Sequence, residues 1–186
     1  MERYQRGDVQ AFEALLVRHR RGVFNFVLRF CADRHTAEEL HQDVFMRVVQ
    51  SAEGFKQRSR FTTWLYTIAR NLCIDHLRKQ KHRRTASLDQ PIRDGETEQT
   101  LMDRMASSEA SPDREADVAR IRSCISAAVA ELAEEQREVF LMREEAGLPF
   151  DEIARIVDAP VNTVKSRMRY ALQNLRARLE AAGIEP

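Results

Sequence analysis

The chain has 186 residues, room for one ordinary domain or two small ones, with 43% hydrophobic and 32% charged residues. No apolar run approaches the roughly 20 residues that span a bilayer, so membrane insertion is excluded. The first residues, Met1 to Asp8, lack the apolar stretch and small-residue cleavage site of a signal peptide, and the expected location is the cytoplasm.

Net charge is only +1, yet the charges are segregated. Between Lys56 and Arg84 stand nine basic residues (Lys56, Arg58, Arg60, Arg70, Arg78, Lys79, Lys81, Arg83, Arg84) against one acid, Asp75. From Thr85 to Asp117 nine acids face three arginines, Arg93, Arg104 and Arg114. Blocks of this kind point to a polyanion-facing surface joined to an acidic tether. The cysteines, Cys31, Cys73 and Cys124, are odd in number and widely spaced, which suits buried thiols in a reducing compartment better than a disulfide framework.

Helical periodicity dominates and strand alternation is almost absent, which predicts an all-α protein. Phe12, Leu15, Leu16, Val23, Phe26, Val27 and Phe30 recur at three- and four-residue spacing, as on one long helix or two short ones. Thr36-Ala37-Glu38-Glu39 has the form of a capping box and predicts a helix start, with Leu40, Val44, Phe45, Val48 and Val49 on its apolar side and an end near Ser51 to Gly54. A helix beginning between Ser59 and Thr62 carries Trp64, Leu65, Ile68, Leu72 and Leu77 on one stripe.

After Arg84 the pattern collapses. The segment from Ser87 to Ser111, with Pro91, Asp94-Gly95 and few aliphatics, reads as a flexible linker. Two helical units follow from this: residues 1–84 and 113–186, joined by 85–112. Order resumes at Ser111-Pro112-Asp113, which reads as N-cap, proline at the first helical position and an acid in the first turn. Helices carrying Ile121 to Val129, Val139 to Leu141 and Phe150 to Val157 precede the turn Asp158-Ala159-Pro160-Val161. The last helix runs from Asn162, its cap, to about Ala181, with Val164, Met168, Leu172, Leu175 and Leu179 as the buried stripe.

Helix, tight turn and helix is the arrangement in which a second helix enters the major groove by its N-terminal turns. With Val164 and Met168 facing inward, Thr163, Lys165, Ser166, Arg167, Arg169 and Tyr170 point outward beside Asn162. Lys165, Ser166 and Arg169 suit base edges; Thr163, Arg167 and Tyr170 suit the phosphate backbone. A second basic site, Phe55 to Trp64 followed by the helix end Asp75-His76-Leu77-Arg78-Lys79, mixes cations with aromatics, a combination suited to single-stranded nucleic acid. Trp64, on the apolar stripe, is assigned to the core rather than to base stacking.

Three blocks, Thr36-Ala37-Glu38-Glu39-Leu40-His41-Gln42-Asp43-Val44-Phe45, Phe61-Thr62-Thr63-Trp64-Leu65-Tyr66-Thr67-Ile68-Ala69-Arg70-Asn71 and the terminal helix-turn-helix, resemble the bacterial extracytoplasmic-function (group IV) sigma factors of the sigma-70 family. The resemblance covers nearly the whole chain apart from the linker. It implies a region two up to about residue 84, which binds the clamp helices of the polymerase beta-prime subunit and opens the minus-ten element. It implies a region four from about residue 113, which binds the beta flap and reads the minus-thirty-five element. The polymerase surface falls on Glu39, Gln42, Asp43 and Arg47 with Phe45 nearby. Minus-ten recognition falls on Lys56, Arg58, Ser59, Arg60 and Asn71, with Arg78 and Lys79 on the same basic helix. The minus-thirty-five contacts are Asn162, Thr163, Lys165, Ser166, Arg167, Arg169 and Tyr170. His41 departs from the family, which often has an aliphatic residue there. An anti-sigma factor is a further implied partner, and the acidic linker is expected to pass near the active-site channel of the polymerase.

Cys31, His35 and His41 fit no tight zinc pattern, and no phosphate loop, nucleophile elbow or acid-base dyad is present, so neither metal, cofactor nor catalysis is expected. The rival reading is a stand-alone dimeric helix-turn-helix regulator, which has no need of a polymerase-facing helix and a basic, aromatic loop.

Overall fold

The computed structural model describes residues 1–56, 60–86 and 112–184, and within these residues it contains eight helices and no strand. The N-terminal unit holds α1 (Glu2–Gln5), α2 (Val9–Cys31), α3 (Arg34–Gln50) and α4 (Phe61–Ala86). The C-terminal unit holds α5 (Pro112–Ala130), α6 (Glu134–Glu144), α7 (Phe150–Val157) and α8 (Val161–Ala181). Ser111 and most of the linker lie outside the described residues.

Each helix start has a local cause. Asp8 caps α2, its carboxylate accepting from the Ala11 N–H at 3.1 Å. Gln5 then ties the amino terminus to the turn after α3, donating to the carbonyls of Ala52 at 2.7 Å and Phe55 at 2.9 Å. α2 is one continuous helix and ends at Ala32, which takes the left-handed conformation at φ 56°.

The start of α3 differs from the sequence expectation. Asp33, not Thr36, is the cap: its Oδ1 accepts from the Thr36 N–H at 2.7 Å, and the helix begins at Arg34. An ionised aspartate is at least as good an acceptor at a helix N-terminus as a threonine hydroxyl, and it stands three residues earlier. Hydrogen bonding from Thr36 accordingly holds the Asp33 carboxyl below its ordinary value.

α2, α3 and α4 pack around Val23, Phe26, Val27 and Phe30, all fully buried, against Leu40, Val44 and Val48. On α4 the innermost positions are Leu65, Tyr66, Ala69 and Cys73, while Trp64, Ile68, Leu72 and Leu77 form a half-buried flank. The expected stripe on this helix was therefore displaced by part of a turn. Trp64 packs against Phe55 and Phe61, with ring centroids 4.9 and 6.0 Å away, as assigned to the core from sequence. Cys31 and Cys73, distant in sequence, meet where α2 ends beside α4; their thiols share a hydrogen bond that holds Cys31 down and pushes Cys73 up.

The apolar core continues from the first unit into the second, where Val139, Leu141 and Met142 of α6, Ile153 of α7 and Val164 of α8 are fully enclosed. α2 packs against α5 and α6, and α4 against α7. Arg137 of α6 stitches this seam. Its guanidinium donates to the Phe30 carbonyl at the end of α2 at 3.1 Å, and also to the carbonyls of Ala130 and Leu132, acceptors that the helix ends leave without intrahelical partners.

Candidate nucleic-acid and polymerase interfaces

α7 stops because Asp158 turns left-handed at φ 50° and Pro160 cannot continue a helix. Pro160 itself is the N-cap of α8, so Val161 is the first helical residue and Asn162 the second. Asn162 was expected as the cap; proline fixes the entry two residues earlier, and no side chain accepts from the first turn of α8. The open amides of that turn, with no acid among them, form an electropositive end suited to a phosphate.

Asn162, Thr163, Lys165, Arg169 and Tyr170 are exposed on α8, and Ser166 and Arg167 are half-buried. The Arg169 guanidinium lies over the Tyr170 ring at 5.1 Å. The buried stripe is Val164, Met168, Ala171 and Leu175. Leu172, expected in that stripe, is 49% exposed. At 3.6 residues per turn, a step of seven from Val164 returns to within about 20° of the same direction, whereas a step of eight overshoots by about 80°. Leu172 instead lines an open groove with Phe150 and Met168, rimmed by Lys165, Arg169 and Arg176.

In the N-terminal unit Lys56, Asn71, Arg78 and Lys79 are exposed, and Asn71 and Arg78, seven residues apart, share one side of α4. Arg58 and Ser59 lie outside the described residues. Arg60 is exposed but not unpartnered: its Nε stands 3.3 Å from Glu152 Oε1. The aromatics of the loop, Phe55 and Phe61, are turned toward Trp64, so they anchor the loop while Lys56 and Arg60 are exposed.

On α3, Glu39, Gln42, Asp43 and Arg47 are exposed as expected, but Phe45 is only 8% exposed and belongs to the core. It packs edge-to-face on His41, at 5.2 Å, and that ring also meets Phe24 at 5.6 Å. The His41 Nε2 is 3.0 Å from the Arg20 carbonyl, a hydrogen bond between α3 and α2 in which the ring N–H donates. Burial holds the His41 pKa below its ordinary value. Two apolar residues of this face escaped the sequence reading: Met46, 58% exposed, and Val49, which was assigned to the apolar side and is exposed instead. Glu39, Gln42, Met46 and Val49 follow one another at three- and four-residue steps, a mixed polar and apolar ridge.

Two buried acids also went unforeseen. Glu138 of α6 is 2% exposed and accepts from Arg70 Nε at 2.6 Å, with Arg167 Nη1 at 3.5 Å. Glu152 of α7 accepts from the Thr63 hydroxyl besides facing Arg60. Arg167, expected to point outward, is thereby turned toward α6. Burial pushes the Glu138 carboxyl above its ordinary range, and the two guanidinia, which pull it down, do not fully offset this.

Comparison with known proteins agrees with this geometry. The sigma-70 region 2 family matches residues 15–83, which is α2 to α4, and sigma-70 region 4 matches residues 122–175, which takes in α6, α7 and most of α8. The RNA polymerase sigma-H factor of Pseudomonas aeruginosa is 30% identical over 97% of this chain and 92% of its own length. The ECF RNA polymerase sigma-E factor of Escherichia coli K12 is 31% identical over 94% of this chain and 91% of its own. The chain belongs to the ECF sigma factors of RNA polymerase. The fold is shared with the sigma factor RpoE of Bartonella quintana, solved in complex with the anti-sigma factor NepR, at a TM-score of 0.73 and 22% identity, over 92% of this chain and 98% of that one. Because both units match, in order and nearly end to end, the stand-alone regulator is not favoured. No helix among the described residues is long and apolar enough to cross a membrane.

Proposed function

We propose that this sigma factor divides its work between 1–84 and 113–186, joined by the tether 85–112. In the first unit the ridge of Glu39, Gln42, Asp43 and Arg47 on α3 meets the clamp helices of the beta-prime subunit of core RNA polymerase, with Met46 and Val49 adding apolar contact. Phe45 supports that ridge from beneath. Lys56, Arg58, Ser59, Arg60, Arg78 and Lys79 hold the minus-ten strand, and Asn71 reads an unpaired base. In the second unit, which docks on the beta flap, α8 enters the major groove of the minus-thirty-five element. There Lys165, Ser166 and Arg169 face base edges, and Asn162, Thr163 and Tyr170 face phosphates, with Arg167 reaching a phosphate only on leaving Glu138.

The observation that carries this reading is the open first turn of α8, with Thr163, Lys165 and Arg169 exposed beside it, on the same chain as a cation-bearing loop anchored by packed aromatics. A partner that masks these surfaces, an anti-sigma factor, is part of the proposal, as is a cytoplasmic location. The test is run-off transcription with purified core polymerase on genomic fragments that include the region upstream of the protein's own gene. Specific initiation that disappears in the Asn71→Ala and Lys165→Ala variants is expected. DNA binding with no initiation at any fragment would refute it.

A further inference from the structure

Cys31 is the last residue of α2 and is half-buried, whereas Cys73 of α4 is fully buried in the core that the two helices share. Their thiols share a hydrogen bond, so the two sulfur atoms are in contact although more than 40 residues of chain separate them. A free cysteine in a core ordinarily serves as a small apolar side chain. This pair is built differently. Cys31 reaches the surface, and the charge of Arg137 acts on it through a guanidinium whose buried Nε has no partner among the described residues. Hydrogen bonding with Cys73 holds the Cys31 thiol below its ordinary value of 9.0, and Arg137 adds to that pull against burial and Asp33. A partly exposed thiol beside a cation is the kind that oxidants attack.

We propose that Cys31 and Cys73 form a reversible oxidation site, in which a hydroperoxide oxidises Cys31 and Cys73 resolves the product as a disulfide tying the end of α2 to α4. With hydrogen peroxide, the Cys31 thiolate attacks one oxygen and the O–O bond breaks. Cys31 becomes a sulfenic acid, and the departing hydroxide leaves as water with the proton the thiol had released. The Cys73 sulfur then attacks the Cys31 sulfur, the S–O bond breaks, and the hydroxyl leaves with the Cys73 proton as a second water. Each sulfur gives up one electron, and together they reduce one peroxide to two waters. Burial fixes the order of events, because Cys73 is fully enclosed and Cys31 is not. The hydrogen bond with Cys31, burial and the Cys31 charge all push the Cys73 thiol up, and conversion of Cys31 to a neutral sulfenic acid lifts that charge.

The experiment treats the reduced full chain with equimolar hydrogen peroxide and follows free thiols, intact mass and linked peptides. Two of the three thiols should disappear together, the mass should fall by two hydrogens, and a single linked peptide pair should join Cys31 to Cys73, all reversed by dithiothreitol. Cys124→Ser should behave as the wild type does. Cys73→Ala should stop at a Cys31 sulfenic acid that dimedone traps, and Cys31→Ala should leave Cys73 reduced. The bridged chain should unfold about 5–10 °C above the reduced one, since the bridge closes a long loop. Oxidation that begins at Cys124, bridges that form only between chains, a wild-type sulfenic acid that persists without a bridge, or a bridge that leaves the unfolding midpoint in place would overturn the inference. If either alanine variant loses helicity by circular dichroism, the wild-type linkage map and thiol count decide: a Cys31–Cys73 bridge supports the site, and any other pattern refutes it. None of these readouts involves polymerase or DNA, so failure of the sigma-factor reading shows separately.

Discussion

Gly22 of α2 lies directly beneath the hydroxyl of Tyr66 on α4, so that a Cβ on Gly22 would stand 2.9 Å from that oxygen. The same spot faces the carbonyl of Glu145, the C-cap of α6, at 3.8 Å, so at this glycine α2 lies close to both α4 and the end of α6. Tyr66 is 3% exposed and stacked edge-on against Phe26, so it has little room to retreat. Glycine inside a helix costs about 1 kcal/mol against alanine, so on propensity alone Gly22→Ala would stabilise the chain. We expect the opposite, a net loss of roughly 1–3 kcal/mol from overpacking. Urea unfolding checks it, and a higher midpoint for the alanine variant would show that the three helices can separate at little cost.

Asp33→Ala removes the cap of α3 and is expected to cost about 1 kcal/mol at neutral pH. Hydrogen bonds from Thr36 hold the carboxyl below its ordinary value of 3.8, so its contribution is present above that value and disappears as pH falls through the lowered one. Denaturation of wild type and variant across acid pH should show the two curves converging below the ordinary aspartate range. A gap that persists there would mean the cap acts through something other than its charge.

Glu138 runs the other way. Its carboxyl is raised by burial against the pull of Arg70 and Arg167, with Glu134 adding to the rise. The stability contributed by its neutral form is therefore complete below the ordinary value of 4.5 and is lost as pH climbs through the raised one. Glu138→Gln keeps that neutral form at every pH. Its stability relative to wild type should rise from acid to neutral conditions; a difference that is flat with pH would contradict the assignment.

Burial separates Phe45 from its neighbours Asp43 and Met46 on α3. Phe45→Ala is expected to destabilise the N-terminal unit by about 3–5 kcal/mol, as an enclosed aromatic does. Asp43→Ala and Met46→Ala, on the exposed ridge, should leave the unfolding midpoint nearly unchanged and weaken binding to core polymerase. Parallel thermal unfolding and polymerase pull-down distinguish them.

Lys165→Ala should cost about 1–3 kcal/mol in affinity for the minus-thirty-five duplex and relax preference at one base position. Leu172→Ala, one face away on the same helix, should change neither the preference nor the stability by more than about 0.5 kcal/mol. Binding-site selection with both variants reads the difference.

The helical class and the sigma-70 family were legible in the sequence because both rest on local signals: apolar spacing of three and four, Pro160 before the last helix, and contiguous blocks around Gln42 and Asn71. Element edges were less so. Asp33 and Pro160 each set a helix start earlier than the nearest attractive cap, since capping depends on which backbone amides a side chain reaches. Stripes were misjudged where one step decides a face: Leu172 for Ala171, and Val49 taken as buried.

The sequence by itself determined which segments become helices and which carry cations, because hydrophobic periodicity and charge are properties of a segment. Only the tertiary structure decided what those cations meet. Glu138 and Glu152 read as ordinary surface acids until α6 and α7 fold against α4, and Cys31 and Cys73 read as unrelated thiols until α2 ends beside α4. Burial and pairing across more than 60 residues of chain, as between Arg70 and Glu138, depend on how helices pack, and no local pattern encodes that distance.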